Sequence, residues 1–256
     1  MTRLGGSTNT TDLLVVGPSL GTRVESLLGR CAHALADRFD VVGWDLPGHG
    51  RSQPASAPYT IADLADAVRE ESDRQAGTRP AWYAGVSIAG LVGFQLGLDP
   101  GPFRAVATLA SAPRIGSVES WQERAAQVRR AGMQSLVAAS AVRWFAPGFL
   151  DREPRTAGRL LAQLSDTDSP SYAWPCDALA VCDLRPRLGD TKVPLLVAAG
   201  EQDQVFTPQA IRAATEAAPD MTFEVVAGCG HLPPVEDATA VAAMLSLYFP
   251  EHGDFE

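Results

Sequence analysis

The stretch "YAGVSIAGLVG", from Tyr83 to Gly93, decides how this chain is read. With "AW" ahead of it, it starts as a short apolar run of the kind found in strands buried on both faces, and it continues as the helical run "IAGLVGFQLGL". Ser87 stands at the junction, with Gly85 two residues before it and Ala89 two residues after. A strand-to-helix turn that presents a nucleophile is strained and crowded, so those two neighbours must be small. The bare pattern Gly-x-Ser-x-Gly/Ala is common by chance. Its strand–turn–helix setting favours a nucleophile elbow over a serine that merely lets a helix lie close to a strand.

Similar runs recur on both sides. "DLLVVG" (Asp12 to Gly17), "DVVGWD" (Asp40 to Asp45), "AVATLAS" (Ala105 to Ser111), "VPLLVAAG" (Val193 to Gly200) and "TFEVVAG" (Thr222 to Gly228) all read as strands buried on both faces. Between them, Val24 to Arg38 puts Leu27, Leu28, Cys31 and Leu35 on one helical face, and Ile61, Leu64, Ala65 and Val68 follow a Thr60-x-x-Asp63 capping signal. Thr207-Pro208 opens a further helix, and Val235 to Phe249 reads as a closing amphipathic one. Strand and helix in alternation give an α/β fold with a mostly parallel sheet flanked by helices. The alternation stops between Ala112 and Thr191, where helix-like segments occupy Ser120 to Ala131, Met133 to Phe145 and Thr156 to Leu164, with Trp121, Trp144 and Trp174. We expect a single domain over 1–256 with a helical cap at about 115–188, inserted after the fourth parallel strand and lying over the strand ends where open α/β sheets bind ligands.

Composition narrows the function. A chain of 256 residues with 46% hydrophobic content can bury a sizeable core, and a net charge of −9 argues against nucleic acid, whose binders need a basic face. No apolar run approaches the length of a membrane span, and "MTRLGGSTNTTD" lacks a signal-peptide core, so a cytoplasmic location away from membranes is expected. Cys31, Cys176, Cys182 and Cys229 form no Cys-x-x-Cys pair and have few histidines near them, so they are expected as reduced thiols, with no metal and no cofactor.

A serine hydroxyl needs a base, an acid to orient the base, and donors for the oxyanion. Of the four histidines, His33 falls in the first helix and His252 in the polar tail, whereas His231 in "GCGHLPPVED" follows the last predicted strand and shares Ser87's edge of the sheet. The acid comes from "AAGEQDQVFTP", where both Glu201 and Asp203 could reach an imidazole; Asp203 is preferred because it lies deeper in the loop, just before the helix start at Thr207-Pro208. The expected oxyanion donors are the N–H of Ile88 and, from the loop "PSLGT", that of Leu20.

"WDLPGHGRS" (Trp44 to Ser52) joins these pieces, because the sequence resembles the α/β-hydrolase family, in which a D-x-x-G-x-G-x-S segment follows an early parallel strand; here it is Asp45, Gly48, Gly50 and Ser52. The resemblance implies a structural role for that loop, and His49 is not assigned to catalysis. Within the family the chain is most similar to the 3-oxoadipate enol-lactonases of aromatic catabolism, from about Leu13 to Phe249. The more specific matches are "SLGT", "RIGSVESWQERAAQVRRAGM", "RWFAPGF" and "YAWPCDALAVCDLR". That resemblance implies acyl transfer from a small lactone or ester to Ser87. It also implies a mostly apolar pocket in which Arg143, with Arg114 and Arg124 behind it, holds the substrate carboxylate between Trp121 and Trp144. A related esterase or lactonase and a non-catalytic ligand-binding relative are the competing readings, and a homo-oligomer is left open. The chain departs from the pattern in three places. Ala89 replaces a usual glycine, Pro18 precedes Ser19 where asparagine is common, and "MTRLGG" offers only part of one strand where the family begins with a hairpin. No room is expected for the decarboxylase domain fused to some relatives.

Overall fold

Seven strands form one sheet, ordered β1-β3-β2-β4-β5-β6-β7, in the computed structural model, which describes residues 1–7 and 12–251. Strands β1 (Thr2–Gly5), β2 (Asp12–Gly17), β3 (Phe39–Gly43), β4 (Ala81–Val86), β5 (Phe103–Leu109), β6 (Leu195–Gly200) and β7 (Met221–Val226) are all parallel except β1, which runs antiparallel to β3. The short N-terminal segment therefore supplies one edge strand. The interior strands β2, β3, β4 and β6 carry almost unbroken buried apolar runs, as expected of strands covered on both faces. β7 does not follow that expectation: Glu224 and Val225 are exposed, because β7 is the outer strand and only part of its surface is covered.

Helices α1 (Val24–Ala34), α2 (Ile61–Ala76) and α3 (Ile88–Leu98) follow β2, β3 and β4. Thr60 caps α2 through the reciprocal pair with Asp63 read from the sequence. α3 is apolar on every side, and ten of its eleven residues are buried. Asp45 explains the loop that follows β3. Its carboxylate accepts from the Val24 N–H at 2.8 Å, capping α1, and from the Arg51 N–H at 3.1 Å, while Ser52 Oγ donates to its carbonyl at 2.8 Å.

Between β5 and β6 the chain is helical: α4 (Val118–Ala131), a 3₁₀ turn at Met133–Leu136, α5 (Val137–Trp144), α6 (Phe149–Arg152), α7 (Pro154–Ser165) and α8 (Ser169–Val181). α8 was not expected from the sequence. It is buried around most of its circumference, so it shows no amphipathic stripe, and Pro175 interrupts its pattern, yet Asp168 caps it by accepting from the Ser171 N–H at 3.0 Å. After β6 come α9 (Pro208–Thr215), then α10 (Pro233–Glu236) and α11 (Ala238–Glu251) beyond β7. The single closing helix read from Val235 to Phe249 is thus two helices. Asp237 breaks the run and caps the second, accepting from the Ala240 N–H at 2.8 Å.

Candidate active site

The parallel register brings the chemistry to one edge. Gly17 lies opposite Gly85, and Leu109 opposite Ala198, so the segments that follow β2, β4, β5 and β6 leave the sheet together. Ser87 is the residue between β4 and α3, at φ 55° and ψ −113°; only Ala110 shares a positive φ among the described non-glycine residues. A serine holds this strained conformation only if its surroundings fix it. Its N–H donates to the Leu109 carbonyl at 2.9 Å, and its own carbonyl accepts from Ser111 Oγ at 2.8 Å. Tyr83 Oη donates to the Ala89 carbonyl at 2.8 Å and ties the strand to the first turn of α3. A Cβ at Gly85 would lie 2.2 Å from that same carbonyl oxygen, which explains the glycine two residues before the serine.

Ala89 also has a structural explanation. A Cβ at Gly17 would come within 2.6 Å of the Ala89 methyl and 2.7 Å of Trp44 Nε1. The extra methyl is accepted because the facing strand carries none.

His231 Nε2 lies 3.0 Å from Ser87 Oγ, and its Nδ1 lies 2.9 Å from Asp203 Oδ2. All three side chains are buried. Asp203 Oδ1 accepts from the backbone N–H groups of Val205 at 2.7 Å and Phe206 at 3.1 Å, so the second oxygen is aimed at the imidazole. Glu201, the other acid considered, instead accepts from the Gly228 N–H at 2.8 Å and stays exposed. Such a chain can withdraw the serine proton while the carboxylate orients the imidazole and stabilises its charged form.

The loop carrying His231 is pinned to the helical segment above it. The His231 N–H donates to the Trp144 carbonyl at 3.0 Å, and Glu236 accepts from both the Gly230 and Ala146 N–H groups at 2.8 Å. Burial pushes the Glu236 carboxyl above its ordinary range, against the lowering effect of those bonds.

Ser87 and His231 open onto a small cavity of about 40 Å³ whose lower wall includes Ser19 and Leu20. Its upper wall comes from α4, α5 and α8 through Trp121, Arg124, Ser140, Arg143, Trp144 and Tyr172. A wider outer cavity of about 370 Å³ shares Ile115, Trp121, Arg124, Arg143 and Val205 with it. Arg124 Nε donates to Tyr172 Oη at 2.8 Å. Arg143 has no ion-pair partner among the described residues; desolvation and the neighbouring Arg124 charge both lower its pKa. Burial lifts the Tyr172 phenol to about 12, so it stays neutral beside these cations.

The alpha/beta hydrolase fold family matches residues 29–238. The chain belongs to the α/β-hydrolase family. It is a hydrolase, and it is 35% identical over 195 residues to 3-oxoadipate enol-lactonase 2 of Acinetobacter baylyi, covering 76% of this chain and 72% of that protein. The crystal structure of the enol-lactonase from Burkholderia xenovorans superposes with a TM-score of 0.89 at 30% identity, covering 96% of this chain and 94% of that one. More distantly, the chain is 28% identical over 220 residues to a pimeloyl-[acyl-carrier protein] methyl ester esterase of Stenotrophomonas maltophilia, with 82% and 83% coverage.

Within this α/β-hydrolase scaffold, most residues singled out from the sequence converge on the inner cavity, and Ile88 opens α3 directly after Ser87. Arg114 does not converge. Its guanidinium pairs with Asp183 at 3.0 Å, a carboxylate also bound by Arg185, and it lines neither cavity. His49 is buried with Nδ1 3.1 Å from the Pro47 carbonyl and has no bond to Ser87 or His231. His252 lies outside the described residues. No group of three or more metal-ligating side chains occurs among the described residues, and none of their helices is long and apolar enough to cross a membrane. Sequence reasoning missed Ser140, Tyr172, Val205 and Glu236. Ser140 had a signal in its place three residues before Arg143, on the same helical face.

Proposed function

We propose that the protein opens 3-oxoadipate enol-lactone through an acyl-enzyme on Ser87. The observation that carries this reading is the hydrogen-bonded chain Ser87–His231–Asp203 beside a cavity whose wall presents Arg143, which has no ion-pair partner among the described residues. Ser87 Oγ attacks the lactone carbonyl as its proton passes to His231 Nε2. The N–H groups of Ile88 and Leu20 stabilise the oxyanion. The ring C–O bond then breaks, and the enol oxygen takes the proton from His231. That enol stays tethered to the acyl chain and collapses to a ketone, which removes the nucleophile that could close the ring again. Water, deprotonated by His231, cleaves the Ser87 ester and releases the keto-diacid. Arg143, with Arg124 beside it, holds the carboxylate that the lactone carries, between Trp121 and Trp144. The relatives named as enol-lactonases support the choice of substrate.

A second reading is an esterase for a longer acid, favoured by the outer cavity of about 370 Å³, which gives an extended acyl chain room beyond Arg143. Purified protein supplied with the enol-lactone, and separately with methyl and phenyl esters of short and long acids, separates the two. The lactonase reading expects the lactone to be turned over with the highest kcat/KM. An ester preferred over the lactone would favour the second.

A further inference from the structure

Ser140 is 1% exposed, lies on α5, and lines the inner cavity together with Ser87 and His231. Its Oγ has no hydrogen-bond partner among the described residues. Serines inside helices usually satisfy themselves on the carbonyl four residues back, and a buried hydroxyl that forgoes this leaves a donor and two acceptor positions unused. Arg143 is three residues further along the same helix, so its side chain rises from the same face. The two groups are complementary in kind: the hydroxyl of a residue that lines the inner cavity, and a guanidinium with no ion-pair partner among the described residues that borders both the inner and outer spaces. Neither is consumed by the Ser87–His231–Asp203 chain. Tyr172, the other hydroxyl of that wall, is already engaged as acceptor to Arg124.

We propose that Ser140 Oγ is a specificity-determining donor that, with Arg143, grips one carboxylate of the substrate and so selects acidic lactones over neutral ones. The inference rests on the lactonase reading and names what that site recognises. A carboxylate oxygen accepts from Ser140 Oγ while its partner oxygen faces the guanidinium, and both unused groups are satisfied at once. A neutral lactone fills the same cavity and leaves Ser140 as unpaired as it is without ligand.

Steady-state kinetics of the wild type and Ser140→Ala on two substrates test this. One is 3-oxoadipate enol-lactone; the other is the same unsaturated ring with methyl in place of the carboxymethyl group. Loss of a hydroxyl bound to a charged group predicts about a ten-fold fall in kcat/KM for the acidic lactone, carried by KM, with the neutral lactone within two-fold of wild type. The keto-diacid product, used as a competitive inhibitor, should weaken by about the same factor. The thermal midpoint of Ser140→Ala without ligand should equal or exceed that of the wild type, because an unsatisfied buried hydroxyl is removed. An equal loss on both lactones, or a lowered midpoint, would make Ser140 a structural residue and overturn the proposal. Unchanged kinetics on the acidic lactone would overturn it too, leaving the hydroxyl to solvent. A wild type inert on both lactones would remove the lactonase reading itself, and this inference with it.

Discussion

Asp203→Asn tests the geometry of the hydrogen-bonded chain because the surroundings dictate how the new amide must sit. Val205 and Phe206 present two N–H donors to Oδ1, at 2.7 and 3.1 Å. The asparagine carbonyl must keep that position, since an NH₂ group there would face two donors. The NH₂ is therefore forced toward His231 Nδ1, now 2.9 Å from Oδ2. Nδ1 must then accept, which places the ring proton on Nε2 and points it at Ser87 Oγ, 3.0 Å away. An imidazole in that tautomer cannot take the serine proton. The same forced tautomer in a serine protease triad costs about four orders of magnitude in kcat, or about 5.4 kcal/mol. The assay is kcat on the lactone or a phenyl ester, with the thermal midpoint as a check that the fold persists. Glu201→Gln serves as the control and should stay within about two-fold, because Glu201 is engaged with Gly228. Asp203→Asn activity within ten-fold of the wild type would refute the reasoning.

Two further outcomes follow from packing and charge. Gly17→Ala pushes a methyl to 2.6 Å from the Ala89 methyl and 2.7 Å from Trp44 Nε1, an overpacking expected to cost about 1–3 kcal/mol and to lower the thermal midpoint by roughly 2–10 °C. Adding Ala89→Gly should recover only part, since Trp44 remains, and an unchanged midpoint in the single variant would contradict the account of Ala89. The side-chain bond from Arg185 holds the Asp183 carboxyl well below its usual 3.8, with Arg114 adding to the effect. A depressed folded pKa contributes stability above the unfolded value that is lost as pH falls through the folded one. The midpoint gap between wild type and Asp183→Asn, measured by thermal melts, should be present at neutral pH and shrink only below 3.8; a gap independent of pH would rule out this linkage.

Much of the scaffold was legible because its strands are short, apolar and bounded by small residues, so the parallel sheet and the position of Ser87 follow from pattern alone. The limits of that legibility are physical. β7 reads as buried on both faces from its apolar residues, but Thr222 and Glu224 interrupt the run where β6 is apolar throughout, and at the sheet edge Glu224 and Val225 stay exposed. α8 hides because burial on most sides erases periodicity. The choice between Asp203 and Glu201 depended on which carboxylate meets the imidazole, and that is set by the N–H groups of Val205, Phe206 and Gly228, which side-chain identity does not disclose. Arg114 carried the same chemical promise as Arg143; the difference is that Asp183 claims the first and no described carboxylate claims the second. Ala89 looked like a departure close to the chemistry, and its accommodation is written in Gly17, far away in sequence and opposite in space.

The most direct measurement is the loss of ultraviolet absorbance of 3-oxoadipate enol-lactone on addition of purified wild-type protein and, in parallel, of Ser87→Ala. The account predicts rapid wild-type turnover and a loss of a thousand-fold or more, on the order seen when a triad nucleophile is removed, in the variant. A wild type no faster on the lactone than on simple phenyl esters, or a Ser87→Ala protein that still opens the ring at the wild-type rate, would contradict it.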